Sequence, residues 1–568
     1  MDYKEKIAQL LAKETAFNKE KIITLLEIPP QGLGDYAFPC FVLAKEAKKN
    51  PIEISKEISS KIKSDFLEKV EPKGPYVNFF ISKEDLSTSV LEKIFTGKLI
   101  NSNENGKVMV EYSSPNTNKP LHLGHLRNNI LGLAISNLLE ATGQKIIKAN
   151  LVNDRGIHIC KSMLAYKLFG EDRNPIKEGI KSDHFVGDMY VLFNEKVKEN
   201  PKLEDEAKEM LKKWEAKDKE TIALWKKMNS WALDGMKETY NLFGSRFDEW
   251  FFESETFEKG DAKKIISEGL KKGVFKKEDN GAIAADLEPE LPNKIIVRGD
   301  GTSLYATNDL ALTQYKFDKY KISKCIWVVG SEQDLYFRQL FTIFKKLGRD
   351  WAKNCYHLSY GMVNLTTGKM KSREGTVVDA DDLIIEVIDI AKSEIDNRYK
   401  DLSGKEREER SLAIALSAIK FYLLKNDAKR DITFDPKESI SFEGETGPYL
   451  QYTYARAKSI LRKAKEDKIK YKKGNFDLLK EDKEKELIVA LSGFSNKVDK
   501  SLEQLSLHPL AHNLLSIAEK FNSFYHDVPV LKSENKELLN ARLSLVEATT
   551  IVLAKGLEIL DIIPIEKM

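Results

Sequence analysis

Cysteine is scarce: four occur in 568 residues, at Cys40, Cys160, Cys325 and Cys355, far apart and with no C-x-x-C pair. That spacing excludes a disulfide framework and a zinc knuckle. Each thiol is left to read as a small buried hydrophobe. No run of about 18 uncharged apolar residues occurs, so no membrane-spanning helix is expected. The opening stretch, MDYKEKIAQLLAKE, is charged throughout and lacks the apolar core of a secretion signal. An excess of one charge is missing too: 91 Lys and Arg against 88 Asp and Glu leave a formal net charge of +3. Any nucleic-acid contact must then come from local patches. Internal repeats are absent. Together these absences indicate a reducing, cytoplasmic setting, with no membrane and no dedicated metal site. The composition, 42% apolar and 32% charged, is that of a soluble globular protein. The length exceeds what a single core fills, so two to four domains are expected.

What is present alternates strand and helix. Ile7, Leu10 and Leu11 share one helical face, and Lys73-Gly-Pro-Tyr-Val-Asn-Phe-Phe-Ile81 reads as a turn into a strand. Residues 101–106 are polar and turn-rich and mark a boundary, which makes 1–104 an α+β domain. Val108-Met-Val-Glu-Tyr112 is a short apolar strand. A loop with Pro and Asn follows, then a helix with apolar Leu126, Ile130, Leu133, Ala134, Leu138 and Ala141, closed by Gly143 at the C′ position. Residues 145–152 form a second strand. Strand, helix and strand at this spacing make a parallel βαβ unit, half of a doubly wound sheet. The pattern returns with Cys325-Ile-Trp-Val-Val-Gly330 as a buried strand. A helix start follows with Ser331 and Asp334 as a capping-box-like pair, and residues 356–365 read as one further strand. A Lys- and Glu-rich stretch at about 180–285, mostly helical in period, splits the sheet as an insertion. From about residue 405 the chain is helical throughout. The predicted fold is therefore α/β plus all-α: a Rossmann-like catalytic domain over 105–385 and a helical bundle over 386–568.

The strongest chemical signal is Lys119-Pro-Leu-His-Leu-Gly-His125. It lies between a strand and a helix N-terminus, where unpaired N–H groups and a positive dipole suit phosphate. Gly124 lets a base or phosphate chain approach the backbone. His122 and His125 can donate hydrogen bonds to an oxyanion as charge builds on phosphorus. Two histidines at i and i+3 could alone be chance or metal ligands; the βαβ context favours phosphate. H-L-G-H after a first parallel strand resembles the signature of class I aminoacyl-tRNA synthetases, a motif shared with small nucleotidylyltransferases. The wider string Val110-Glu-Tyr-Ser-Ser-Pro-Asn-Thr-Asn-Lys-Pro-Leu-His-Leu-Gly-His-Leu-Arg-Asn128 resembles the arginyl branch of that class.

The resemblance implies site residues. A mobile lysine loop of the form K-M-S-K-S is matched by Lys369-Met-Lys-Ser-Arg-Glu-Gly375, which would fold over ATP and neutralise the leaving pyrophosphate. Ser372 stands where the second lysine belongs and Lys371 is one step early. Lys119, just upstream of the histidine motif, fits the place where some arginyl enzymes carry a substitute lysine. Lys369, Met370, Lys371, Ser372, Gly124 and Gly330 are thus assigned to ATP, with His122, His125, Lys119 and Lys369 as catalytic groups. A guanidinium is matched bidentately by carboxylates. The family's arginine positions map onto Glu111, Asn116 and Gln333 around the α-amino and carboxylate groups, and onto Tyr305 and Asp309 at the guanidinium. Taken alone, Asp309 reads equally as a helix cap or surface charge.

The resemblance reaches both ends of the chain. Thr446-Gly-Pro-Tyr-Leu-Gln-Tyr-Thr-Tyr-Ala-Arg456 is similar to the start of the family's anticodon-binding domain, where Tyr449, Tyr454 and Arg456 could stack on unpaired bases. Core packing is an equal reading of Tyr449, Tyr452 and Tyr454. The lysine-rich run 462–473 reads as a solvated helix end or as a nucleic-acid patch. In the first hundred residues, Tyr76 and Asn78 match positions that read a flipped-out base of the tRNA corner. The family implies that ATP with Mg²⁺, L-arginine and tRNA(Arg) are bound by a monomer that does not bind DNA. The rivals are a synthetase for another amino acid and a catalytically silent RNA-binding relative. The intact His122, Gly124, His125 and Lys369 argue against the second, and the long helical C-terminal region excludes a small adenylyltransferase.

Overall fold

The computed structural model describes residues 3–27, 29–30, 33–102, 106–170, 172–258, 261–299, 305–366, 378–399, 402–469, 471 and 473–568. Two compact units make up the chain. One comprises residues 1–99, 456–494 and 516–552; the other comprises 100–455, 495–515 and 553–568. The helices beyond residue 405 thus divide between the units.

The first unit contains an antiparallel sheet of β1 (Tyr36–Pro39), β2 (Leu67–Lys73) and β3 (Tyr76–Ile81), in the order β1-β3-β2. Val77 and Phe79 of β3 face inward with Phe38. They pack against Ile7 and Leu11 of the helix Tyr3–Glu14 and Ile54 and Ile58 of Pro51–Lys61. The period of two puts Tyr76, Asn78 and Phe80 on the opposite face. Asn50 caps the second helix, its side chain accepting the Ile52 N–H at 2.9 Å with Pro51 at the first helical position.

The second unit holds β4 (Lys107–Glu111), β5 (Lys145–Val152), β6 (Glu249–Phe252), β7 (Phe275–Lys277), β8 (Ile283–Ala285), β9 (Lys294–Val297), β10 (Lys324–Gly330), β11 (Cys355–Tyr360), β12 (Val363–Leu365) and β13 (Ile432–Phe434). Five of these form a wholly parallel sheet in the order β11-β10-β4-β5-β6. The chain starts in the middle at β4, runs outward to β6, then returns to the other side of β4. Strand order therefore reverses between β4 and β10, which opens a crevice at the carboxyl ends of those strands. On one face Met109, Ala149, Phe251, Cys325 and Trp327 pack against Leu310, Phe337, Leu340 and Ile343 from the helices Tyr305–Tyr320 and Asp334–Lys346. The helix Leu123–Ala141 covers the other face, where Val108 and Val110 are buried. Helices on both faces make the sheet doubly wound.

The structure corrects three details of the sequence reading. The insertion is not purely helical: after the helix Lys219–Phe243 the chain re-enters the sheet as β6, the edge strand beside β5, and then forms the small antiparallel sheet β7-β8-β9. Residues 356–365 are not one strand. The main-sheet strand ends at Tyr360, and β12 pairs with β13 in a separate two-stranded sheet. The break has a cause: the Arg127 guanidinium, 0% exposed, donates to the carbonyls of Gly361 (2.7 Å), Met362 (3.0 Å), Ala428 (2.9 Å) and Arg430 (2.8 Å). Those acceptors are drawn to a buried cation. Ser331 and Asp334 do not form a capping box. Residues 331–333 make a 3₁₀ turn, and the helix Asp334–Lys346 starts without a side-chain cap.

Gly132, in the middle of the helix Leu123–Ala141, shows how closely that helix approaches the residue after β4. A Cβ there would lie 2.2 Å from Cγ of Tyr112. Alanine is favoured over glycine in a helix interior by about 1 kcal/mol. Overpacking a fitted contact costs about 1–3 kcal/mol. Gly132→Ala is expected to lower the thermal unfolding midpoint; a raised midpoint would show that Tyr112 can yield.

Candidate active site

The chain leaves β4 through Ser113 and Ser114, both in the left-handed region at φ 75° and 48°. For residues with a Cβ this costs about 1 kcal/mol or more each. Side-chain contacts hold them, among them Asn153 Nδ2 donating to the Ser114 carbonyl at 3.2 Å. Ser113 N–H donates to Asn128 Oδ1 at 2.5 Å, Ser114 N–H donates to Asn150 Oδ1 at 3.1 Å, and the Ser113 and Tyr240 hydroxyls lie 2.6 Å apart. Asn128 also donates to the Val328 carbonyl at 2.7 Å, tying the helix to β10. The strained turn brings the histidine motif to the carboxyl edge of the sheet.

His122 is the N-cap of the helix Leu123–Ala141, with extended backbone at φ −135° and ψ 173°. Its Nδ1 accepts the Gly124 N–H at 3.1 Å. The Nδ1 of His125 accepts the His122 N–H, also at 3.1 Å. The two imidazoles thus form a reciprocal capping box. An Nδ1 that accepts leaves the ring proton on Nε2, so each neutral ring keeps one N–H donor. Burial, then the charge of Lys119, lowers the His122 pKa to about 4. Burial, then His122 and Lys119, holds His125 well below the usual histidine value. Both rings are therefore uncharged donors at neutral pH, their centroids 3.9 Å apart. Gly124 has a local reason to be glycine: a Cβ would sit 2.9 Å from Cε1 of His122. The residue makes room for the histidine ring, a packing role beside the ligand approach expected from sequence. Lys119 is exposed on the same loop.

Charge converges beside β4. Glu111 ends that strand and forms a buried ion pair with Lys316, the two side chains 5% and 1% exposed. The Lys316 ammonium also lies over the rings of Phe251 (5.0 Å) and Trp327 (5.8 Å). Glu111 is therefore compensated from within the protein. Asp309, two turns before Lys316 on the helix Tyr305–Tyr320, accepts a hydrogen bond from the Tyr336 hydroxyl. Burial raises its pKa to about 6 against the pull of Tyr336 and Lys316. Glu253, just past β6, is raised to about 7 by burial, opposed by Arg155 and reinforced by Asp309 and Asp154. The charge of Asp309 is thus felt at Glu253, and like charges this near raise the cost of ionising both.

Gly330 ends β10, and a Cβ on it would meet the Glu332 carboxylate at 2.5 Å. Gln333 is exposed at the start of the helix Asp334–Lys346. Asn116 is exposed on the motif loop and bridged to Asn153 beyond β5. Glu111, Asn116, Lys119, His122, His125 and Gly330 thus all lie at or beyond the carboxyl ends of neighbouring strands. The Tyr305 side chain and Lys369, Met370, Lys371 and Ser372 lie outside the described residues. In the first unit, Tyr76 is half-buried, its ring edge-on to Phe41 at 5.9 Å, and Phe41 is exposed. Asn78 is 2% exposed and its Oδ1 has no hydrogen-bond partner among the described residues. Tyr454 is buried at 7% exposure. Tyr449 is half-buried. Arg456 lies over the Tyr525 ring at 4.8 Å and reaches Asn522 at 3.2 Å.

The sequence reading missed Lys316, Tyr336 and Glu253. Lys316 stands seven residues from Asp309 on one helical face, a legible signal. Glu253 was hidden because β6 was read as part of a helical insertion.

A parallel sheet entered at its middle strand, with a histidine capping box where strand order reverses, is the catalytic layout of class I aminoacyl-tRNA synthetases. Residues 88–436 match the family described as tRNA synthetases class I (R), catalytic domain; residues 450–568 match the DALR anticodon binding domain, and 1–81 the arginyl tRNA synthetase N-terminal domain. The chain is 46% identical to the arginine–tRNA ligase of Treponema denticola, over 94% of this chain and 93% of that protein. It is 41% identical to that of Borreliella afzelii, over 93% and 91%. The solved arginyl-tRNA synthetase of Thermus thermophilus superposes with a TM-score of 0.84 at 28% identity, covering 100% of this chain and 99% of that one. The chain belongs to the arginyl-tRNA synthetase family.

The raised carboxylates give a pH prediction. Asp309 and Glu253 must be ionised to pair a guanidinium, so below about pH 7 binding has to expel protons. The affinity for free arginine is expected to rise between about pH 5.5 and pH 8, with proton release detected by calorimetry in buffers of different ionisation enthalpy. An affinity independent of pH would remove these two groups from the guanidinium site.

Proposed function

We propose that this chain charges tRNA(Arg) with L-arginine in two ATP-driven steps. The observation that carries the reading is the pair of neutral imidazoles, locked by mutual capping at the reversal of strand order. ATP lies across that crevice under the motif. The arginine carboxylate attacks the α-phosphorus and the bond to pyrophosphate breaks, giving arginyl-adenylate and diphosphate. The growing charge on the phosphoryl oxygens is met by the Nε2–H groups of His122 and His125 and by the Lys119 ammonium. Preorganised donors of this kind are worth about 3–4 kcal/mol each. Lys369, with Met370, Lys371 and Ser372, is assigned to the pyrophosphate on sequence grounds. In the second step a hydroxyl of the 3′-terminal adenosine (the 2′ position, by class) attacks the arginyl carbonyl and AMP leaves. No enzyme nucleophile takes part.

Asp309, Glu253 and Tyr305 receive the guanidinium, and Asn116 and Gln333 the α-amino and carboxylate groups. Glu111 serves there as one half of its ion pair with Lys316. A lysine side chain cannot fill a planar two-carboxylate site and leaves buried acceptors unpaired. Mg²⁺ accompanies the triphosphate as its counter-ion. Among the described residues one group could converge on a metal, Asp183, His184 and Asp381, and the Lys181 ammonium already lies 2.5 Å from Asp381. Residues 1–104 contact the tRNA corner through Tyr76, beside exposed Phe41, with the unsatisfied Asn78 amide below. Residues 386–568 hold the anticodon, with Tyr449 and Arg456 on that side. The protein works as a cytoplasmic monomer; no described helix is long and apolar enough to cross a membrane.

Two measurements test this. Given total tRNA, ATP and Mg²⁺, acid-precipitable label is expected from arginine alone among the twenty amino acids. Label from another amino acid, or from none, overturns the reading. His122→Asn keeps a good N-cap acceptor, so stability should change by only about 0.5 kcal/mol, while adenylate formation should fall about 10²–10³-fold. Retained adenylate formation would mean that the ring donor does not touch the phosphate.

A further inference from the structure

One cluster of titratable side chains in the second unit is left unused by the chemistry above. The helix Ser182–Glu199 starts with Lys181, Asp183 and His184, and the helix Ala380–Arg398 with its cap Asp379, then Asp381. The Lys181 ammonium lies 2.5 Å from Asp381 Oδ2 and 3.3 Å from Asp183 Oδ2, and donates to the Thr239 hydroxyl at 2.6 Å. His184 Nε2 lies 3.3 Å from both Asp379 and Asp381. Asp183 is 0% exposed and packs on the bare backbone of Gly235, where a Cβ would approach its Oδ1 to 2.3 Å. Two of these carboxylates, Asp183 and Asp381, and His184 converge as metal ligands could, but the ammonium already among them makes this an ion-pair cluster. His184 and Lys181 hold Asp381 down to about 2 against burial. The His184 pKa is raised: burial works against its charge, and Asp381, Asp379 and Asp183 outweigh it.

The same segments touch the histidine motif at two points. The backbone of Asp379 pairs with that of His122 in an antiparallel bridge; Leu123 N–H donates to Val378 O at 2.9 Å, and Ala380 N–H donates to Leu121 O at 3.1 Å. On the other flank Gly187, one turn after Asp183, lies against the motif loop. A Cβ there would be 2.8 Å from Cδ of Pro120 and 3.7 Å from Cα of Lys119. The motif is therefore gripped between the Ser182–Glu199 helix and residues 378–380, and the charged cluster is what joins those two jaws.

We propose that Lys181 and His184, through Asp379 and Asp381, are positioning residues that fix the His122 backbone and the Lys119–Pro120 loop in register with the phosphate site. They touch no substrate; they act by holding the bridge closed. Two small helical residues, Gly187 and Gly235, allow the approach that brings the charges together. This rests on the activity proposed above, and the test has one arm that does not.

In the full-length protein, Lys181→Met removes the ammonium and keeps much of the stem, and Lys181→Arg restores a cation. Because catalytic groups tolerate little misplacement, Lys181→Met should lower kcat for aminoacylation about 10- to 100-fold, with KM for arginine and the tRNA Kd little changed; Lys181→Arg should recover most of the loss. Amide hydrogen exchange of Leu123 and Ala380, whose N–H groups make the bridge, should quicken in Lys181→Met and slow again in Lys181→Arg, with exchange in β5 unchanged. This arm reads the grip whether or not arginine is charged. A wild type that charges nothing sinks the functional reading alone. Unchanged exchange at Leu123 and Ala380, or kcat, KM and tRNA affinity all declining together with the unfolding midpoint, overturns the positioning role.

Discussion

The first turn of an α-helix leaves its N–H groups without partners, and the site depends on how that demand is met at the helix Leu123–Ala141. Two of these groups are taken by imidazole nitrogens, one from His122 and one from His125. The arrangement does several things at once. It stops the helix from fraying, orients both rings and selects the tautomer with the proton on Nε2. With burial added, it keeps both rings uncharged. An ordinary Ser or Asp cap would satisfy the backbone equally but would leave no ring donor at the helix end, where the dipole already favours an anion.

Around this cap the protein places charge with its compensation built in. Arg127 is answered by four carbonyls, Glu111 by Lys316 and Lys420 by Asp561 at 2.7 Å. Each removal would strand a buried charge, which is costly. Asp309 and Glu253 are the contrast. Burial raises their pKa values, against the pull of Tyr336 and Lys316 on Asp309 and of Arg155 on Glu253.

Much of this was legible beforehand because it rests on local rules. The 145–152 strand, the glycine closing the motif helix and the βαβ unit follow from periodicity, capping and spacing, and Gly143 does have φ 89°. Local rules failed where a distant group intervened. Residues 356–365 have strand composition throughout, yet Arg127, more than two hundred positions away, draws the carbonyls of Gly361 and Met362. The strand β6 is only four residues long and flanked by helix, too short to stand out in a helical stretch. Tyr454 read equally as a core residue and as a base-stacking ring, because a residue's burial at 7% exposure is set by what packs over it.

The sequence by itself determined the class of fold, the βαβ unit around β4 and the histidine motif at its helix start, because strand and helix periods and an N-cap are decided within a few residues of chain. It also held the family likeness from end to end. Tertiary structure alone decided which carboxylates sit in a buried ion pair and which have their pKa raised by burial, why Gly124 must lack a side chain, and how Lys181 and His184 reach the motif. Those outcomes depend on burial and on charges meeting across segments far apart in the chain. Coulombic and desolvation energies follow distance in space, which one-dimensional spacing does not record.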